Sequence, residues 1–98
     1  MVEVKWTESA LNDLKSIFDY IAFDSVFYAS RHINKLLDRT EILVEFPKAG
    51  RMVPEKEDET IRELVEGNYR IFYKILNPQK IAIIRVHHSA KRIRIRKK

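Results

Sequence analysis

The sequence predicts an α+β domain: a short N-terminal strand, an antiparallel helix hairpin, then a three-stranded antiparallel meander, with both helices on one face of the sheet. Three observations predict it. Apolar residues recur at three- and four-residue spacing across residues 10–21 and again across residues 26–44, the pattern of two amphipathic helices. Across residues 61–88 the period falls to two, the repeat of strands whose side chains alternate between faces. Between these regions, residues 47–59 carry two prolines, a glycine and a run of acids with neither period, and so read as a connecting loop.

In the opening strand Val2, Val4 and Trp6 alternate with Glu3 and Lys5, which suits a half-buried position. Thr7 follows as the N-cap of the first helix, and Glu8 lies in the first turn, where a negative charge suits the helix dipole. The apolar stripe is Ala10, Leu11, Leu14, Ile17, Phe18 and Ile21, and the helix is expected to end near Ala22 or Phe23. Asp24 and Ser25 supply capping chemistry for a second helix, whose stripe of Val26, Ala29, Ile33, Leu36, Leu37, Thr40, Leu43 and Val44 runs on until Phe46-Pro47 stops it. So short a break makes the pair an antiparallel hairpin. In the loop, Gly50 is expected to supply a positive φ at a turn.

Tyr69, Ile71, Tyr73 and Ile75 form one apolar phase, which leaves Arg70, Phe72, Lys74 and Leu76 on the other face. Asn77-Pro78-Gln79-Lys80 breaks the run and makes a hairpin with the next strand. In that strand Ala82, Ile84 and Val86 are the wholly apolar phase, opposite Arg85 and His87. If each arm turns its cleaner apolar phase to the core, Arg70, Lys74, Arg85 and His87 share the open face, which is the candidate site. His87 and His88 then point to opposite faces, with His88 the near-core histidine.

Ninety-eight residues with 45% hydrophobic composition make one domain with a single core. There is no cysteine, which removes disulfides and thiolate metal sites and accords with a reducing cytosol. The first ten residues have no basic segment followed by an apolar one, and no stretch nears the ~20 apolar residues of a membrane span, so a soluble cytoplasmic protein with no membrane role is expected. The net charge of +5 is uneven. Residues 85–98 hold seven Lys or Arg and no acid, whereas residues 1–84 carry twelve basic against fourteen acidic side chains. The basicity therefore belongs to the tail, residues 89–98, where cations near phosphates would release condensed counterions. There is no Gly-rich phosphate loop, HExxH, nucleophile elbow or cluster with metal-ligand spacing, and neither metal nor cofactor is expected. An open face bearing Arg and His beside a cationic tail points to phosphate binding or phosphate chemistry, without choosing between them.

Over nearly its whole length the chain resembles the RelE/ParE superfamily of type II toxin–antitoxin toxins. The resemblance rests on the opening strand with Trp6, the A-L-x-D-L run at residues 10–14 and F-P-x-x-G-R at 46–51. R-E-L at 62–64, Y-R-I-x-Y at 69–73 and R-V-H at 85–87 complete it. It implies an α+β toxin that inhibits growth, is neutralised by a cognate antitoxin protein, and acts on DNA gyrase (ParE type) or on ribosome-bound mRNA (RelE type). The two long helices, F-P-x-x-G-R and R-E-L look more like ParE. The basic pair of RelE-type nucleases falls instead on Ile61 and Glu63, and no Tyr follows Tyr73. A third branch, resembling YoeB, uses a glutamate base, the same arginine and a C-terminal His-Tyr. On that resemblance Glu55, Arg70 and His87 would be catalytic in a metal-independent endoribonuclease, although His88 stands in place of the Tyr. The remaining candidates for binding a target or antitoxin are Arg51, Arg62, Lys74, Arg85, His88, Lys91, Arg92, Arg94 and Arg96. The alternative from another class is a small nucleic-acid-binding module whose basic tail does the work and which poisons nothing.

Overall fold

The computed structural model describes residues 1–88. In chain order these form β1 (Glu3–Trp6), α1 (Glu8–Ala22), α2 (Val26–Arg39), a 3₁₀ segment (Thr40–Val44), β2 (Arg51–Met52), β3 (Ile61–Glu66), β4 (Tyr69–Asn77) and β5 (Lys80–His88). The strands make one sheet in the order β1-β5-β4-β3-β2. Strands β3, β4 and β5 are the predicted antiparallel meander, and β2 adds a two-residue edge antiparallel to β3. At the far edge β1 lies parallel to β5, with Glu3 opposite Lys80 and Trp6 opposite Ile83, so the sheet is mixed rather than wholly antiparallel. A parallel neighbour requires a long crossover, and the helix hairpin begins it.

The predicted caps form. Thr7 Oγ1 accepts the Ala10 N–H at 3.2 Å and also donates to the Ile83 carbonyl at 2.8 Å, which ties the start of α1 to β5. Ser25 Oγ accepts the Tyr28 N–H at 3.1 Å. The second apolar stripe outlasts its α-helix: α2 ends at Arg39, and the remaining residues tighten into the 3₁₀ segment. There Thr40 Oγ1 donates back to the Leu37 carbonyl at 2.8 Å, a side-chain bond that competes with the regular ladder.

Both helices pack on one face of the sheet. Ala10, Leu14, Leu36 and Leu43 meet Leu64, Tyr69, Ile71, Tyr73, Ile81, Ile83 and Val86 in a single core. Each large side chain fully buried there contributes about 1.5–3 kcal/mol. In β4 the buried phase is the predicted one. In β5 it is not: Ile81, Ile83 and Val86 are buried, while Ala82 and Ile84 are only half-buried. The cause is a bulge, since Phe72 pairs with Arg85 but Tyr73 pairs with Ile83, which places Ile84 outside the register and shifts the alternation by one residue.

Gly50 also departs from expectation. The positive φ belongs to Gly67, at +60° in the β3–β4 turn. Gly50 is required for space instead, because a Cβ there would lie 2.5 Å from the Glu63 carbonyl oxygen and 2.7 Å from Tyr73 Cε1. The Tyr73 hydroxyl accepts the Gly50 N–H at 2.9 Å and donates to the Pro47 carbonyl at 2.8 Å, so the loop is bolted to the sheet. Among the described residues no helix is long and apolar enough to cross a membrane.

Candidate functional site

On the face away from the helices, β4 presents Arg70, Phe72 and Lys74, as its alternation predicts. Cross-strand pairing sets His87 and Val65 on either side of Arg70, and Arg85 and Glu63 on either side of Phe72. Arg70 is the centre of this face, yet only 8% of its side chain is exposed. Its Nε donates to Glu63 Oε1, its Nη1 and Nη2 donate to the two oxygens of Glu55 at 3.3 and 3.2 Å, and its guanidinium carbon lies 4.8 Å from the centre of the Phe72 ring. Glu63 is fully buried and uses its second oxygen to accept from Arg51 Nε. The result is a chain of alternating charge, Arg51–Glu63–Arg70–Glu55, that sums to zero. Burial alone would lower the pKa of Arg70, but the two carboxylates outweigh it and hold the guanidinium charged.

His87 packs edge-on to Phe72, with ring centres 5.4 Å apart. Burial and then Arg85 push its pKa below the ordinary histidine value, with Arg70 adding to the effect and Asp13 opposing it. The imidazole is therefore neutral at pH 7. Lys74 is half-buried on the same face, opposite Ile61 and Ala82.

Three of the sequence candidates lie elsewhere. Arg62 pairs with Tyr73 and so belongs to the helix side; its Nε donates to the Glu59 carbonyl at 3.1 Å and its Nη1 to the Gly50 carbonyl at 2.9 Å, which makes it a brace for the loop. Arg85 leaves the open face for the outer edge of β5, where it grips Asp13 of α1 through Nε and Nη2 at 2.9 and 3.1 Å. Asp13 Oδ2 also accepts the Val86 N–H at 2.8 Å. His88 turns to the helix side, edge-on to Tyr69 at 5.1 Å, and His32 flanks the same ring at 6.1 Å. Lys91, Arg92, Arg94 and Arg96 lie outside the described residues.

The structure thus gathers Glu55, Arg70 and His87, adds Arg51, and separates off Arg62, Arg85 and His88. Sequence reasoning missed Glu63 and Phe72 as members. Phe72 carried a usable signal, an aromatic ring between Arg70 and Lys74 in the polar phase of its strand. Glu63 carried a weaker one, an acid where the RelE-type pattern has a base. Among the described residues there is no group of three or more His, Cys, Asp or Glu that could hold a metal ion. Chemically, the Arg70 charge is balanced by two carboxylates, and Glu55 covers the side of the guanidinium on which both terminal nitrogens could meet a phosphate.

Residues 4–93 match the family model of the ParE toxin of type II toxin–antitoxin systems, parDE. The chain belongs to that family. It is 33% identical over 91 residues to Toxin RelE2 of Caulobacter vibrioides, covering 93% of this chain and 99% of the relative. Its fold is shared with a chain of the chromosomal ParDE system of P. aeruginosa, at TM-score 0.74 and 22% identity over 90% of this chain and 96% of the other. A chain of the RelBE2 toxin–antitoxin complex of Mycobacterium tuberculosis matches at TM-score 0.52 and 21% identity, over 89% of this chain and 96% of the other. This ParE-family chain therefore sits within the RelE/ParE superfamily, and the strand–helix hairpin–meander order is the fold of both neighbours.

Proposed function

We propose that this ParE-family chain is a growth-inhibiting toxin, neutralised by a cognate antitoxin, that acts by binding DNA gyrase. The observation that carries the choice of target is the state of Arg70. A nuclease of the RelE type needs that arginine turned to the scissile phosphate beside further basic groups, whereas here two carboxylates occupy it and Glu63 holds a place where a base is required. The family model points the same way. In this reading the open face and the basic residues Lys91, Arg92, Arg94 and Arg96 form the surface that meets the target or the acidic side chains of the antitoxin.

A second reading, cleavage of ribosome-bound mRNA, is favoured by one observation. Glu55, Arg70 and the neutral His87 stand together on one face, as the YoeB-like arrangement would require. One set of experiments separates the readings. Controlled induction in a bacterial host should lower plating counts, with rescue when the antitoxin is co-expressed; normal growth with soluble, folded protein present would count against any toxin. The purified protein should inhibit supercoiling by gyrase and leave mRNA intact in a translation extract. Ribosome-dependent cuts mapped by primer extension, abolished in Arg70→Ala, would establish the second reading instead.

A further inference from the structure

Arg70 is held by two kinds of contact that differ in permanence. The contact to Glu63 comes from the neighbouring strand β3 and is buried, the half-buried Phe72 ring is two residues along β4 itself, and Glu63 is in turn fixed by Arg51. The contact to Glu55 comes from the loop before β3, spans 3.2–3.3 Å, and involves a side chain that is 46% exposed. Charge-assisted bonds of full strength are shorter, about 2.7–2.9 Å. If Glu55 swings outward, Nε and the plane of the guanidinium stay fixed, and the two terminal nitrogens turn an unspent fork toward the solvent side that Glu55 had filled. A fork held in place before its ligand arrives loses little freedom on binding.

We propose that Glu55 is a removable latch: its carboxylate is an internal stand-in on an oxyanion site formed by Nη1 and Nη2 of Arg70, and an external oxyanion takes the site by displacing it. The ligand class follows from the stand-in, since a group with two oxygens already meets both nitrogens. Two sources share this chemistry, a carboxylate and a phosphate. The inference does not rest on the gyrase reading, and its test uses the isolated full-length chain with no toxicity or target.

The test is competition. Wild type, Glu55→Gln and Glu55→Ala are titrated with sodium phosphate and, separately, with sodium acetate, with ionic strength held constant by chloride. The readouts are the ring resonances of His87, which stands across the ladder from Arg70, and the melting temperature. A latch closed in about nine molecules of ten weakens apparent affinity about tenfold, so both Glu55 variants should saturate at about one-tenth of the wild-type anion concentration. Glu57→Gln removes a neighbouring loop charge without touching Arg70 and should behave as wild type. The double variant Arg70→Gln/Glu63→Gln removes both members of the buried pair, leaves neither charge stranded, and should abolish the response. The stronger ligand of the two identifies the source. Equal saturation in wild type and the Glu55 variants, an equal gain in Glu57→Gln, or a response that survives in the double variant would each overturn the latch.

Discussion

Glu55 and Glu63 bind the same guanidinium and should differ widely in what they contribute to stability. Glu63 is fully buried between two arginines, so Glu63→Ala leaves Arg70 charged, buried and unpaired at Nε, a loss of about 3–5 kcal/mol. Glu55 is half-exposed, and Glu55→Ala should cost no more than about 1 kcal/mol. Urea unfolding of the two variants checks this, and equal losses would mean that the two carboxylates do the same job. Only part of this site is legible in the chain itself. Arg70 and His87 can be placed on one face from strand alternation and hairpin pairing alone. The burial of Glu63 cannot, because an acid at that point of β3 suits a solvated face equally well until Arg51 is known to return beside it from β2. Arg62 escapes a sequence reading for a similar reason: a strand with two half-polar phases does not declare which one faces the helices.

Two joins between elements govern how the site is held. In the first, Gly50 and Tyr73 clamp the loop that carries Glu55. Gly50→Ala drives a methyl group into the Glu63 carbonyl, and overpacking of this kind costs about 1–3 kcal/mol. Tyr73→Phe leaves the Gly50 N–H and the Pro47 carbonyl without their partner, at about 1–3 kcal/mol. Thermal melts of both should show a fall, and a neutral Gly50→Ala would mean that the loop relaxes freely. The second join is the carboxylate of Asp13, which caps the outer edge of β5. Burial raises its pKa, but the Arg85 side chain and the Val86 N–H outweigh that and leave it below the ordinary aspartate value. Because the folded value is the lower one, the stabilisation is complete above the unfolded aspartate pKa and disappears as pH falls through the depressed one. Asp13→Asn should therefore flatten the acid limb of a stability–pH curve and leave the shape above about pH 6 unchanged. The bulge at Ile84 shows where element-level reading fails: a period of two assumes uninterrupted pairing, and one extra residue exchanges the faces from that point on.

At the scale of the whole molecule, the charge layout limits how the surface can work. Within residues 1–84 acids slightly outnumber bases, and at the candidate site two arginines are matched by two glutamates, so the open face by itself has little long-range pull on a polyanion. The surplus lies in residues 85–98, of which Arg85 is already committed to Asp13. Attraction to a phosphate-rich target must therefore come chiefly from the six positive charges after Ala90. The core residues among those described all lie before that point, so a chain truncated after Ala90 is expected to keep its far-UV spectrum and its melting temperature to within a few degrees, and unfolding of the truncated chain would make Ile93 and Ile95 structural. Its association with the target should weaken, and the dependence of log K on log salt should become shallower by about 0.9 for each phosphate that the shortened chain no longer neutralises. Association measured at several salt concentrations for the two lengths decides the matter. Parallel salt curves would move the electrostatic contribution back to the open face, and with it to the Arg70 fork once Glu55 has released it.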